Sequence, residues 1–177
     1  MIALARHSSR LKHIRGENLI DRIISGHRDF SGTILTQFNF AADPERFALL
    51  YNYLSRQDFS REKNRLDFQN CYWKDVNLTQ HVYDLVLKQE IELGLPLQSL
   101  QAQRAGFIEV CFRYTDLHNA NFSDAKLENC DFTGAGKQYA RFTHTTVITL
   151  QGAEDLYSKR EIDREHSEPK VRAYPQI

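Results

Sequence analysis

Residues 115–135 read TDLHN-ANFSD-AKLEN-CDFTG-A, and broken every five residues they fall into register. From Phe107 the large apolar column continues through Phe112, Leu117, Phe122, Leu127 and Phe132, fails once at Lys137, and resumes at Phe142 and Val147. Two residues ahead of it runs a smaller column: Ala105, Val110, Thr115, Ala120, Ala125, Cys130, Ala135, Ala140 and Thr145. Five residues of α-helix advance about 500°, so positions five apart wander around a helix. In a flat strand the side-chain period is two, and an odd step changes face. A period of five fits a chain that turns a corner once per repeat and brings the same position inward each time. Four right-angled corners close a square of twenty residues, and the next square stacks on it at about 4.8 Å.

ANFSD and CDFTG are close to A(D/N)LXX, the motif of the pentapeptide-repeat family, which the chain resembles; TDLHN and AKLEN are good matches and VCFRY and ARFTH looser ones. The resemblance implies a right-handed quadrilateral β-helix. Two shorter tracts carry the spacing: RDFSG-TILTQ-FNFAA with Phe30, Leu35 and Phe40, and LDFQN-CYWKD-VNLTQ with Phe68, Trp73 and Leu78. Equating the three tracts stacks Phe30–Phe68–Phe107, Leu35–Trp73–Phe112 and Phe40–Leu78–Leu117. The long tract itself places Phe112 under Phe132 and Phe122 under Phe142. Lys137 falls in an inward slot, where an unpaired ammonium is too costly to bury, so the chain there is distorted or open to water. The expected fold is an all-β solenoid with helical additions, of about four coils.

The first insert, about 43–62, begins DPERFALLYNYLSRQ. Asp43 suits the N-cap and Pro44 the first helical position, and Phe47, Leu50, Tyr51 and Leu54 form a helical stripe. The second insert, about 80–102, contains QHVYDLVLKQEIELGLP. Val82, Leu85 and Val86 fall on one helical face, and Gly94 and Pro96 stop it, so it too is read as an amphipathic helix. A solenoid end exposes its core, and ENLIDRIIS within residues 1–27 supplies an N-terminal helical cap. Residues 28–150 form the β-helix with its inserts, and 151–177 a polar helix around 153–165 followed by a tail, all within one domain.

The chain has 177 residues with 23 Lys plus Arg and 23 Asp plus Glu, so no net field draws it to nucleic acid or an anionic membrane. No apolar run marks a signal peptide or membrane span. A cytoplasmic protein is expected, or a secreted effector without a classical signal; a bacterial origin is implied by the resemblance. The 3 cysteines match neither a disulfide framework nor a zinc site. Cys71 and Cys130 are core fillers, and Cys111 points outward with no activating cation in sequence. Asp124 and His144 share a corner, where Asp commonly satisfies turn backbone. Asp29 and Asp67 occupy the family's structural Asp slot. No catalytic, cofactor or metal residues are assigned.

The reading reached is a non-catalytic protein–protein interaction module. Two alternatives stand beside it: a DNA-mimic regulator or protector of DNA gyrase or topoisomerase, which the resemblance suggests, and an enzyme of unidentified class. Residues 105–147 hold five acidic and four basic side chains, which disfavours mimicry. In each repeat the residue before the large inward one points outward. On the second wall these are Ile34, Tyr72, Cys111 and Asp131. With Tyr114 beside them, Ile34, Tyr72 and Cys111 form the candidate contact strip, for a protein partner or a second copy of the chain. The alternative is that Leu11 and Ile14 of the N-terminal segment, or an insert, cover it. Direct nucleic-acid or membrane contact is not expected.

Overall fold

The computed structural model describes residues 11–152. In chain order these form β1 (Lys12–His13), α1 (Gly16–Ile24), β2 (Thr33–Asn39), α2 (Pro44–Ser55), β3 (Tyr72–Asn77), β4 (Thr79–Asp84), β5 (Gln89–Gly94), β6 (Gly106–Cys111), β7 (Lys126–Asp131) and β8 (Thr146–Gln151). A six-stranded parallel sheet runs β1-β2-β3-β6-β7-β8, and β4-β5 is a separate antiparallel pair. The expected polar helix around 153–165 and its tail lie outside the described residues.

The corners explain the period. In the repeat at Phe122, the Ala125 N–H donates to the Phe122 carbonyl at 3.0 Å, and Asp124 between them has φ 59°. A turn closed from i+3 to i with positive φ at i+2 is of type II. The left-handed residue then recurs every fifth position, at Arg104, Glu109, Tyr114, Asn119, Asp124, Asn129, Gly134, Tyr139, His144 and Thr149. The Asp/Asn slot before each large residue has its own task. Asp29, Asp67, Asp116, Asn121 and Asp131 each accept, on a side-chain oxygen, the N–H two residues on, at 2.8–3.0 Å. These bonds satisfy turn amides that the ladders leave free.

Between corners the backbone bonds to the level above and below. Four ladders are present. One is the long sheet before its strands turn at Glu109, Asn129 and Thr149, and a second is the same sheet beyond that turn, through Asn77–Cys111–Asp131–Gln151; the other two pass through Asp67–Gln101–Asn121–Arg141 and through Pro96–Asp116–Gly136. The fold is therefore β-helix-like, with the large column turned inward. Phe112 stacks on Phe132 at 4.7 Å between centroids, Phe122 on Phe142 at 5.1 Å, and Phe30 on Phe68 at 5.2 Å. Leu127 pairs with Phe107 above and Val147 below.

The expected join between the second and third tracts is corrected by one repeat. Trp73 pairs with Phe107, not Phe112, and Asn77 with Cys111, so Leu78 meets Phe112 rather than Leu117. Phe68 meets Ala102, because Asp67 pairs with Gln101. The inward column thus begins earlier than Phe107, at Leu97 and Ala102. Size obscures it: Ala102 fills a large slot while Leu100, in the small column, supplies the missing volume, and both are buried.

α1 and α2 complete the upper levels. Asp43 caps α2 by accepting from Arg46 N at 3.0 Å, with Pro44 in its first turn, as expected. Leu50 and Leu54 of α2 and Leu19 and Ile23 of α1 line, with Phe40, Trp73, Leu78 and Leu97, an internal cavity of only about 10 Å³. The helices occupy the side where the first two levels have no repeat of their own. Gly16, the first residue of α1, has no room for a side chain, because the ring of Phe38 lies where any Cβ would stand. At the other end Phe142, Val147 and Leu150 are only partly buried. Lys137 is half-buried there, donating from Nζ to the Gly152 carbonyl at 2.7 Å, so the inward ammonium has an acceptor.

The second insert is not a helix. Residues 79–84 and 89–94 are paired strands, with Val82 opposite Ile91 and Tyr83 opposite Glu90. The helical stripe rested on three residues. Alternation of Val82, Tyr83 and Asp84 with Ile91 across the pair serves a strand better, and Asp84 makes the turn by accepting from Val86 N and Leu87 N.

Phe122→Ala should lower unfolding free energy by about 3–5 kcal/mol in urea titration, since the ring is fully buried between levels. The register has a separate readout. Trp73 is the only tryptophan, so Phe107→Leu should shift its fluorescence emission and Phe112→Leu should leave it.

Candidate protein-contact surface

On the wall before its corner the long sheet presents two outward columns. The first is Ile34, Tyr72, Gly106, Lys126 and Thr146; the second is Thr36, Lys74, Ile108, Glu128 and Ile148. Ile34 and Tyr72 are in register and half-buried, and the Tyr72 ring reaches over Gly106, whose absent side chain leaves the space. The apolar strip thus spans three levels and is continued diagonally by Ile108. The next level is charged, with Lys126 Nζ 2.7 Å from Glu128, and the last described level carries Thr146 and Ile148. β1 pairs with β2 edge to edge, His13 against Ile34, and so lengthens the sheet. Ile14 packs against the core, and Leu11 is exposed.

Cys111 and Tyr114 are not part of that strip. The one-repeat correction moves Cys111 to the adjoining column, Asn39–Asn77–Cys111–Asp131–Gln151. There the Asn77 amide donates to Asn39 Oδ1 at 3.0 Å, and the Cys111 thiol lies 3.9 Å from Thr79 Oγ1. Tyr114 stands at a corner, 44% exposed, its ring over Gly134 on one side and Arg113 5.6 Å from its centroid. The four predicted residues are therefore divided between two faces, Ile34 and Tyr72 on one and Cys111 and Tyr114 on the next.

The same adjoining face carries a charged group that the sequence concealed. Arg113 reaches Glu92 at 2.8 Å and Asp131 at 3.4 Å, with the Glu92 side chain only 12% exposed. Glu92 belongs to β5, which was read as helix, so the pairing had no signal; Asp131 alone could have been found, one level below Cys111. Asp124 and His144 do meet, 3.5 Å apart, but both side chains are more than half exposed. A pair in open water is a weak surface interaction.

Residues 103–135 match the family model described as pentapeptide repeats (8 copies). These residues are a run of pentapeptide repeats. The matched stretch is where the five-residue column is unbroken. One similar solved structure is that of a pentapeptide repeat protein (Rfr23) from the cyanobacterium Cyanothece 51142. It is 14% identical over 68% of this chain and 84% of that one, with a TM-score of 0.26, and nothing further rests on it. No curated protein matches. No helix among the described residues is long and apolar enough to cross a membrane.

Burial raises the pKa of all three cysteines, most for Cys71, to about 11 for Cys130, and above the ordinary thiol value for half-buried Cys111. At pH 8 iodoacetamide should therefore modify Cys111 more slowly than a free cysteine, and Cys71 and Cys130 only after unfolding, as read by mass spectrometry.

Burial also raises the pKa of Asp131, but hydrogen bonds from Thr133 and the charge of Arg113 outweigh it and hold the carboxyl below its ordinary value. Its contribution to stability is then full above the unfolded value of 3.8 and is lost as pH falls through the lower folded one. Urea midpoints should fall less steeply between about pH 5 and 3 in Asp131→Asn than in the parent chain.

Proposed function

We propose that the protein is a non-catalytic protein–protein interaction module. Its frame in this reading is a single domain with a right-handed quadrilateral pentapeptide coil of about four turns, topped by the helical segment within residues 1–27. The observation that carries the proposal is the strip of Ile34 and Tyr72 with Ile108, set on a parallel sheet whose next level carries Lys126 and Glu128. Each residue is fixed by the ladder beneath it, so the strip is presented without conformational cost on binding. A contiguous apolar group on an outward-facing wall is a common mark of a contact site. Cys111 and Tyr114 border the neighbouring face, and Tyr114 at its corner can extend the contact around the edge. The partner in this reading is a protein, with a second copy of the chain as the symmetric case.

The double change Ile34→Ser with Tyr72→Ser tests it. The expected result is an unchanged far-ultraviolet circular dichroism spectrum, a melting temperature within about 2 °C of the parent, and loss of the co-purifying partner or of self-association in sedimentation velocity. A large drop in melting temperature would instead assign the strip to internal packing.

A further inference from the structure

We propose that the tip of the β4–β5 hairpin is a plug that enters an apolar pocket on a partner protein. The four-residue loop Leu85–Val86–Leu87–Lys88 carries three consecutive large apolar residues where hairpin loops ordinarily carry Gly, Asn or Asp. Leu85 is 82% and Val86 88% exposed, with Leu87 and Tyr83 more than half exposed behind them. The loop is built to be desolvated. Asp84 Oδ1 accepts from Val86 N at 2.7 Å and Leu87 N at 2.9 Å, so two tip amides enter an apolar site already bonded. The hairpin is also firmly mounted. Glu92 holds Arg113 on the coil wall, and Gly94 lies against the backbone of residues 113–115, where a Cβ would collide.

Shape and charge select the occupant. Two convex tips meeting one another bury one short loop each, well short of the roughly 1,200 Å² of a stable dimer. An anionic lipid surface attracts cations, whereas residues 79–94 carry Asp84, Glu90 and Glu92 against Lys88. A protein pocket fits both facts. Glu90 and Lys88 flank the tip, are exposed, and form no ion pair among the described residues. They are free to meet a mouth lined with opposite charges, above all a cation for Glu90.

The test uses the full chain with a photoreactive amino acid at position 86, and at exposed Leu49 on α2 as control, expressed in source cells. One discrete protein should crosslink from position 86 and not from 49. Once purified, that protein should bind the parent chain, bind Val86→Asp roughly 30-fold more weakly, and lose affinity again with Glu90→Lys. Ile34→Ser with Tyr72→Ser should leave this affinity unchanged, which separates the plug from the proposed wall contact. The melting temperature of Val86→Asp should match the parent; if it does not, Val86→Ser takes its place in the titration. Four results would overturn the proposal: no discrete crosslinked protein, affinity indifferent to the tip, tip-dependent flotation with phosphatidylcholine or phosphatidylcholine–phosphatidylglycerol vesicles, or tip-dependent self-association in sedimentation velocity.

Discussion

The whole fold depends on a corner that can be repeated without drift. Each corner requires one residue at positive φ, a conformation that L-residues other than Gly, Asn and Asp adopt at a cost. Here Glu109, Tyr114, Tyr139, His144 and Thr149 also adopt it. Glu109 and Tyr114 hold it between a level above and a level below, and Tyr139, His144 and Thr149 against the level above, through hydrogen bonds of about 3 Å beside them. The stack of phenylalanines is the other half of the arrangement. It supplies the burial that offsets the strained corners, and it does so only if every level keeps its neighbours' register.

What could be read from the sequence was what recurs. The column from Phe107 to Val147 gave the coil length, the inward side chains and the outward ones, and Asp43-Pro44 marked the start of α2. The join between tracts could not be read, because Leu100 and Ala102 exchange sizes between the two columns while keeping the combined volume. A pattern that looks for large residues passes over Ala102, although its backbone is as regular as its neighbours'. That single repeat separated Cys111 from Ile34 and Tyr72 and so divided the candidate strip.

The hairpin was hidden for a different reason. An insert of this length offers too few apolar positions to distinguish a period of 3.6 from a period of 2. What decides the matter is Asp84, whose carboxylate makes the turn, and Glu92, whose partner Arg113 lies twenty-one positions on. The first is local and competes with a helical reading of the same residues, whereas the second cannot be seen before the coil is built.

The levels differ in how far along the chain their partners lie. Val147 pairs with Leu127 and Leu127 with Phe107, twenty positions apart, whereas Ile34 pairs with Tyr72, thirty-eight positions on. Loop closure alone separates these by only about 0.6 kcal/mol. The larger difference is that the upper levels lack one side until Leu50 and Leu54 dock. On a ribosome the order is therefore reversed from the order of ease. Phe30, Leu35 and Phe40 emerge first and finish last, waiting as exposed apolar side chains for a helix and a strand still to be synthesised, while the half made last closes on itself at once.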